Sequence, residues 1–285
     1  MEPGVFAKTF VRPTLEATLD AVAAHGLSWV QFNLACAGLP SLPDEIPDGV
    51  VERIRRETAA RGIQIAAVSG TYNMAHPDRR ERERGLARLR VLAAACRGMG
   101  TSVVTLCTGT RDPHDMWRAH PDNASGEAWR DLLASMAGAL AVAEEFDLTL
   151  AFEPEPANVV ADAGRGRDLL RELGSPRLKV VMDPANIVAT DLDRPPGAVL
   201  DDAFALIGEH VVVAHAKERG RDGDVHPAGQ GIVPWDHFIA LLSGVGFAGP
   251  LILHGLGEDD VAGAVAFLRR RIDKVAHGRD ERADD

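Results

Sequence analysis

The sequence predicts one α/β domain folded as a (β/α)8 TIM barrel. Eight short apolar runs rich in β-branched residues recur along its 285 residues. None of them alternates cleanly between polar and apolar residues, which is typical of strands buried on both faces of a parallel sheet. Each run is followed by an amphipathic segment, and eight such units fit the usual barrel length of about 250 residues. We expect strands at Gly4–Thr9, Trp29–Asn33, Ile63–Ser69, Ser102–Thr108, Leu148–Glu153, Leu178–Asp183, Val211–His215 and Leu251–His254.

Capping residues delimit the predicted helices. Thr14 is a favourable N-cap for the first helix, and Gly26 ends it. Gly62 and Gly98 are expected to end the next two helices, since glycine readily adopts the left-handed conformation found there. We expect helices at Leu15–His25, Val50–Arg61, Asp78–Arg97, Glu127–Glu145, from Asp162 or Gly166 to Leu173, and at Ala198–Gly208, Trp235–Ser243 and Asp259–Val275.

The domain organisation follows from these units. No Pro/Gly-rich linker or break in composition divides the chain, and no GxGxxG motif follows the first strand, as a doubly wound nucleotide-binding fold requires. We therefore expect one barrel over residues 1–275 and a polar tail over residues 276–285.

Composition restricts the class of protein. The chain is 46% apolar with a net charge of −11, which opposes binding to nucleic-acid phosphates and anionic membranes. It has no apolar run long enough to span a bilayer, and its N-terminus does not resemble a secretory signal. The cysteines Cys36, Cys96 and Cys107 lack CxxC spacing, which favours a cytoplasmic protein. The expected partner is a small molecule, and a homo-oligomer is left open.

Four ligand-type side chains occupy equivalent positions at the ends of four successive strands. They are Glu153, Asp183, His215 and His254, each about one βα unit after the last. Any one of them alone is more simply explained as a turn former or a hydrogen-bonded structural residue. Together they converge at the carboxyl end of the barrel, where barrel enzymes carry their active sites. Two carboxylates with two imidazoles predict a site for Mn²⁺, Zn²⁺, Co²⁺ or Fe²⁺ rather than Mg²⁺.

With these motifs the chain resembles the xylose isomerase-like TIM barrel superfamily of sugar and sugar-phosphate isomerases and epimerases. The resemblance covers essentially the whole chain. It rests on Glu153, the Asp183–Asn186 segment DPAN, the His215–Glu218 segment HAKE with Arg221 after it, and the glycine-bearing segment 229–236. It implies that Glu153, Asp183 and His215 are metal ligands and that Arg221 contacts substrate.

The chain departs from the pattern of this superfamily at three positions. His254 stands where many of its epimerases have a catalytic glutamate, and Asn186 stands in place of a histidine. Val159 stands in place of a substrate-contacting glutamate. A mechanism with two glutamates therefore does not transfer directly, and His254 could be either a metal ligand or a base.

The expected activity is a divalent-metal-dependent isomerisation or epimerisation of a small sugar or ketose. A proton would leave the carbon next to a metal-bound carbonyl, giving an enediolate. Glu153 is the expected base, with Lys217, Glu155 or His254 as the second acid–base group. The expected substrate contacts are Arg221, Asn186, His76, Trp117 and Glu155.

Three other functions compete with this expectation. A dehydratase of the inosose or dehydroshikimate type would begin with the same proton abstraction, and a non-catalytic sugar-binding barrel would use the same cavity. An apurinic endonuclease is disfavoured by the net charge and by the four-ligand set. The acidic residues Glu258, Asp259 and Asp260 follow Gly257 directly, so we expect an unphosphorylated substrate.

Overall fold

Eight parallel strands close into a barrel, which confirms the predicted (β/α)8 fold. The structure, a computed structural model, describes the backbone of residues 1–283 and the side chains of residues 1–277. The order of strands around the barrel is β1-β10-β7-β6-β5-β4-β3-β2. These strands are β1 (Pro3–Phe6), β2 (Trp29–Phe32), β3 (Gln64–Ser69), β4 (Val103–Cys107), β5 (Thr149–Glu153), β6 (Leu178–Met182), β7 (Val211–Ala216) and β10 (Leu251–Leu253).

Helices follow the strands and cover the outside of the barrel. Some begin at the caps that the sequence offers: the Thr14 side chain accepts the Ala17 N–H, and the Ser125 side chain accepts the Ala128 N–H. The helices are α1 (Leu15–Ala24), α2 (Asp48–Ala60), α3 (Arg79–Met99), α4 (Gly126–Phe146), α5 (Ala163–Leu173), α6 (Pro184–Val188), α7 (Pro196–Ile207), α8 (Trp235–Gly244) and α9 (Glu258–Ala283).

Two helix ends differ from the sequence expectation. Helix α3 passes through Gly98 and ends at Met99, because Gly100 adopts the left-handed conformation (φ 94°) that forms the cap. Helix α9 runs to Ala283, so it includes most of the stretch expected to be a polar tail. Residues 284–285 of that stretch lie outside the described residues.

Two short elements were not expected from the sequence. Helix α6 has only five residues, too few for a periodic apolar pattern, and its N-cap is Asp183. Strands β8 (Glu218–Arg219) and β9 (Val225–His226) pair antiparallel and form a small ribbon after β7. Both elements lie at the carboxyl end of the barrel and shape the loops there.

The core has two layers. Small side chains fill the interior of the barrel, where Ala67, Ala151, Val181 and Val213 pack together. The larger layer lies between the strands and the helices. In the part of the chain that the structure describes, none of the helices combines the length and apolar character needed to cross a bilayer.

Candidate metal centre and active site

A cavity of about 480 Å³ opens at the carboxyl ends of the barrel strands. Its size lies within the range usual for small-molecule sites. Polar and charged groups meet apolar ones in its lining: Phe6, Lys8, Gln31, Asn33, Ser41, Ser69, Thr71, Thr105, Leu106, Cys107, Met116, Trp117, Glu153, Glu155, His215, Lys217 and His254.

Three of the four predicted ligands form a compact group beside this cavity. Asp183, His215 and His254 each offer one ligand atom, and these atoms lie within 4.8 Å of one another. The rings of His215 and His254 stack, with centroids 4.9 Å apart. Three buried atoms of these residues, Asp183 Oδ2, His215 Nδ1 and His254 Nδ1, have no hydrogen-bond partner. Buried polar atoms are normally paired, so a cluster of unpaired carboxylate and imidazole atoms of this kind fits a cation.

Glu153 lies next to this group. Its Oε1 is 3.5 Å from His215 Nδ1, and Asp183 Oδ2 is 3.4 Å from the same nitrogen. Both separations are longer than a normal hydrogen bond. Two carboxylate oxygens therefore lie within 3.5 Å of His215 Nδ1, beside the stacked ring of His254. Oxygen and imidazole nitrogen donors of this kind suit a divalent transition metal.

Gln31 fixes the orientation of His215 and was not predicted from the sequence. Its amide Nε2 lies 3.3 Å from the hydroxyls of Ser69 and Thr105, and its Oε1 lies 2.9 Å from His215 Nε2. Since the amide NH₂ is used on the two hydroxyls, the oxygen accepts the His215 Nε2–H. When His215 is neutral, the tautomer assigned from this network therefore has its lone pair on Nδ1, which faces Glu153 and Asp183. The available signal was a glutamine inside the otherwise apolar strand β2.

Asp183 is oriented by the start of α6. Its Oδ1 accepts the N–H groups of Ala185 at 2.9 Å and Asn186 at 3.1 Å. This cap leaves Oδ2 free to face the two histidines. Burial alone would raise the pKa of Asp183, but the positive charges of Lys217 and His215 hold it well below its usual range. The carboxylate is therefore ionised and available as a ligand.

Asn186 connects the acid–base groups of the site. Its Nδ2 donates to Glu153 Oε1 and to Glu155 Oε2, both at 2.7 Å, and its Oδ1 accepts from Lys217 Nζ at 2.9 Å. Asn186 is only 1% exposed, and these three hydrogen bonds use both polar atoms of its side-chain amide. One buried amide thus positions two carboxylates and an ammonium group.

The titration of the site reflects its burial and its charges. Burial lowers the pKa of His215, but Glu153 and Asp183 outweigh this effect and raise it to about 9. Burial, reinforced by His215, lowers the pKa of His254 to about 4. Burial and the charge of Glu153 raise the pKa of Glu155 to about 7. The two carboxylates thus favour positive charge at His215, as they would favour a bound cation.

Two of the five predicted substrate contacts, Glu155 and Trp117, line the cavity, and Trp117 is 55% exposed. The predicted acid–base group Lys217 lines it as well. Asn186 lies directly behind Glu153 and Glu155. Val159, in place of the superfamily's glutamate, is buried and contributes no polar group.

Like Asn186, the predicted substrate contacts His76 and Arg221 do not line the cavity. The ring of His76 is used at the start of α3, where Nδ1 accepts the Asp78 N–H at 3.0 Å and Nε2 lies 3.2 Å from the Pro113 carbonyl oxygen. Arg221 is exposed in the turn of the β8–β9 ribbon, where the Gly220 N–H donates to the Asp224 carbonyl oxygen at 2.9 Å. The His76 ring is therefore used within the protein, and Arg221 is exposed outside the cavity lining.

Glu218, the last residue of the HAKE motif, organises the loop between the ribbon and α8. It is fully buried, and its Oε2 accepts the Trp235 Nε1–H at 2.7 Å and the Gly229 N–H at 3.1 Å. Its Oε1 accepts the N–H groups of Val233 and Arg219, each at 3.0 Å. A buried carboxylate with four donors has no capacity left for substrate, so its role is structural.

Comparisons with known proteins agree with this fold. The family model described as xylose isomerase-like TIM barrel matches residues 19–271. The chain is structurally similar to an L-ribulose 3-epimerase, with TM-score 0.76, 16% identity, and 98% of this chain and 97% of that chain covered. It is similar to 3-keto-D-glucoside 4-epimerase YcjR from E. coli, with TM-score 0.74, 13% identity and coverage of 95% and 99%. It is also similar to an IOLI protein with a binding zinc atom, with TM-score 0.73, 14% identity and coverage of 96% and 98%. No curated protein matches the sequence.

Proposed function

Because the chain belongs to the xylose isomerase-like TIM barrel family, we propose that it is a divalent-metal-dependent isomerase or epimerase of a small, unphosphorylated sugar or ketose. The observation that carries the proposal is the group of three unpaired buried ligand atoms on Asp183, His215 and His254 beside the cavity. Structural neighbours named as sugar epimerases, and one named with a bound zinc atom, support the same class.

Asp183, His215 and His254 would hold the ion, and Glu153 would complete the set. His254 is then a ligand rather than a base, because its unpaired Nδ1 belongs to the same cluster. Two nitrogen donors favour Mn²⁺, Zn²⁺, Co²⁺ or Fe²⁺ over Mg²⁺. Such an ion supplies Lewis-acid polarisation of a carbonyl and stabilises negative charge that develops on neighbouring oxygens.

Proton transfer would then fall to the groups around Asn186. Glu153 and Glu155 share its Nδ2, and Lys217 donates to its Oδ1, so all three are held on one side of the cavity. A carboxylate here would take the proton from the carbon next to the carbonyl, and Lys217 would stabilise the developing oxyanion or return a proton. Trp117 would contact the apolar face of the sugar.

The same clustering favours a dehydratase as the second candidate. Epimerisation needs proton-transfer groups on opposite faces of one carbon, whereas Glu153, Glu155 and Lys217 are joined through one amide. Groups on one side suffice to remove a proton and to protonate a departing hydroxyl, which leaves as water. They also suffice to move a proton between adjacent carbons, as an aldose–ketose isomerase does.

Metal binding is the first test. Mn²⁺ titrated into the chelator-treated protein should bind at about one equivalent per chain. His254→Ala and Asp183→Ala should abolish this binding, whereas Asp273→Ala, at an exposed position on α9, should not. Thermal unfolding in EDTA should show His254→Ala folded like the native protein. Native-like Mn²⁺ binding by both site variants would contradict the proposed centre.

Solvent exchange is the second test. The Mn²⁺-loaded protein, incubated with ketoses in D₂O, should incorporate deuterium at the carbon next to the carbonyl. Exchange with the hydroxyl groups retained supports an isomerase or epimerase, and loss of water supports the dehydratase. A metal-loaded protein that exchanges no proton with any ketose or keto-acid sugar would instead be a binding protein.

A further inference from the structure

One side of the cavity carries hydrogen-bond donors for which the described residues provide no acceptor. Lys8, Asn33 and Ser41 all line the cavity. Within the described residues, the side chain of Lys8 forms no hydrogen bond and no ion pair, and its charged end lies over the ring of Phe6. Asn33 is buried and uses its Oδ1 on the Ala35 N–H at 2.9 Å, so its amide NH₂ is the group left for the cavity.

The position of Lys8 is set by the barrel. It follows β1 and Asn33 follows β2, and these strands pair in parallel through Val5–Val30 and Phe6–Gln31. The Lys8 Nζ lies 6.0 Å from the ring centroid of Phe6. Phe6 in turn lies 5.3 Å from the ring of His254, centroid to centroid. The Phe6 ring therefore lies beside both the Lys8 ammonium group and the His254 ring, and Lys8 itself is not part of the candidate metal centre.

The acid–base groups are on the other side of the cavity. Strand β5, which ends at Glu153, lies opposite β1 in the strand order of the barrel. A molecule that reaches Glu155 and Lys217 with one end therefore presents its other end to Lys8, Asn33 and Ser41. The two ends of the cavity offer different chemistry, and only the acid–base end carries carboxylates.

The charges of the loaded site favour an anionic molecule. The loaded site would contain three carboxylates, on Glu153, Glu155 and Asp183, the ammonium groups of Lys8 and Lys217, and a divalent ion. These groups together would carry a net charge of about +1, although the whole chain has a net charge of −11. Two of the four lysines of the sequence line this one cavity.

We propose that the substrate is a sugar acid whose carboxylate binds to Lys8, Asn33 and Ser41 at the β1–β2 side of the cavity. This inference rests on the proposed metal-dependent function of the same site. One ammonium group with two neutral donors matches the single charge of a carboxylate. A phosphate dianion is better served by arginine or by a helix N-terminus, and the cavity lining contains no arginine.

The experiment compares matched acids and alcohols as non-reacting probes. Binding of gluconate, galactonate and mannonate to the Mn²⁺-loaded protein is measured by calorimetry against glucitol, galactitol and mannitol. We expect at least one acid to bind about tenfold more tightly than its alcohol, the lower end of what a hydrogen bond to a charged group contributes. Lys8→Met should remove the preference, and Lys274→Met, which alters an exposed ion pair with Asp236, should retain it.

Several results would overturn the inference. They are equal affinity for acid and alcohol across the panel, no acid binding at all, a preference that survives in Lys8→Met, or tighter binding of glucitol 6-phosphate than of any acid. Mn²⁺ affinity is measured on the same Lys8→Met sample and should be native. If the native protein does not bind Mn²⁺, the proposed function is refuted. If it binds Mn²⁺ but shows no preference for the acids, only this inference is refuted.

Discussion

Replacing Gln31 by leucine tests whether this residue controls the affinity of the candidate site for metal through its hydrogen bond to His215. The substitution removes the acceptor of the His215 Nε2–H, which is 2.9 Å away, in a position where His215 is only 2% exposed. A buried donor left without a partner costs about 1–3 kcal/mol. The imidazole can avoid this cost by moving its proton to Nδ1, but that tautomer has no lone pair for the ion.

The expected loss of affinity follows from that cost. Since about 1.4 kcal/mol corresponds to a factor of ten, Gln31→Leu should weaken Mn²⁺ binding by about tenfold to a hundredfold. Gln31→Glu, whose carboxylate still accepts the Nε2–H, should bind Mn²⁺ at least as tightly as the native protein. The dissociation constants are measured by electron paramagnetic resonance of free Mn²⁺.

Gln64→Leu is the matched control, because Gln64 is exposed at the start of β3 and faces no ligand. Its Mn²⁺ affinity should be native. The reasoning is refuted if Gln31→Leu also binds Mn²⁺ with native affinity, or if Gln31→Glu is as weak as Gln31→Leu.

Three further predictions concern catalysis, proton linkage and packing. Asn186→Leu removes hydrogen bonds to two carboxylates and an ammonium group. The rate of deuterium exchange should therefore fall by about 10²-fold, while Mn²⁺ affinity changes by less than about tenfold. Equal losses of rate and affinity would contradict a positioning role. Because the pKa of His215 is raised to about 9, the metal-free protein holds a proton on this imidazole at pH 7.5. Mn²⁺ binding should therefore release about one proton, and the affinity for Mn²⁺ should increase as pH rises toward 9. Calorimetry in buffers of different ionisation enthalpy measures the proton release, and zero release would contradict this prediction. Gly85→Ala on α3 places a methyl group 2.1 Å from Tyr72 Cδ2. This clash should reduce the free energy of unfolding by about 1–3 kcal/mol and lower Tm by about 2–4 °C per kcal/mol. The control Gly263→Ala on α9, where the added methyl group meets open space, should not lower Tm.

The barrel was predictable because its signals are local. Each strand is a short apolar run and each helix has an amphipathic stripe, so both periods can be seen without knowing what packs against what. Parallel strands in a barrel end on one face, and this is why strand-end positions alone brought Asp183, His215 and His254 together. Helix α6 and the β8–β9 ribbon were missed because they are too short to show a period.

The individual roles of the polar residues were less predictable. His76 and Arg221 follow strands, as the ligands do, but the His76 ring is used at the start of α3 and Arg221 is exposed in the ribbon, so neither lines the cavity. Asn186 was expected as a substrate contact, and the structure also makes it the partner of Glu153 and Lys217. Sequence position decides which end of the barrel a side chain occupies but not which neighbour it meets.

The sequence by itself determined the barrel, its single domain and the set of ligand-type residues at one end of it, since these follow from periodicity and from the direction of parallel strands. Only the tertiary structure decided the tautomer of His215, the convergence of three groups on one amide, and the separation of Lys8 from the acid–base side. Those features depend on contacts such as that between Gln31 and His215, which lie 184 residues apart in the chain. Hydrogen bonds act over about 3 Å, so they are defined only once folding has brought such distant residues together.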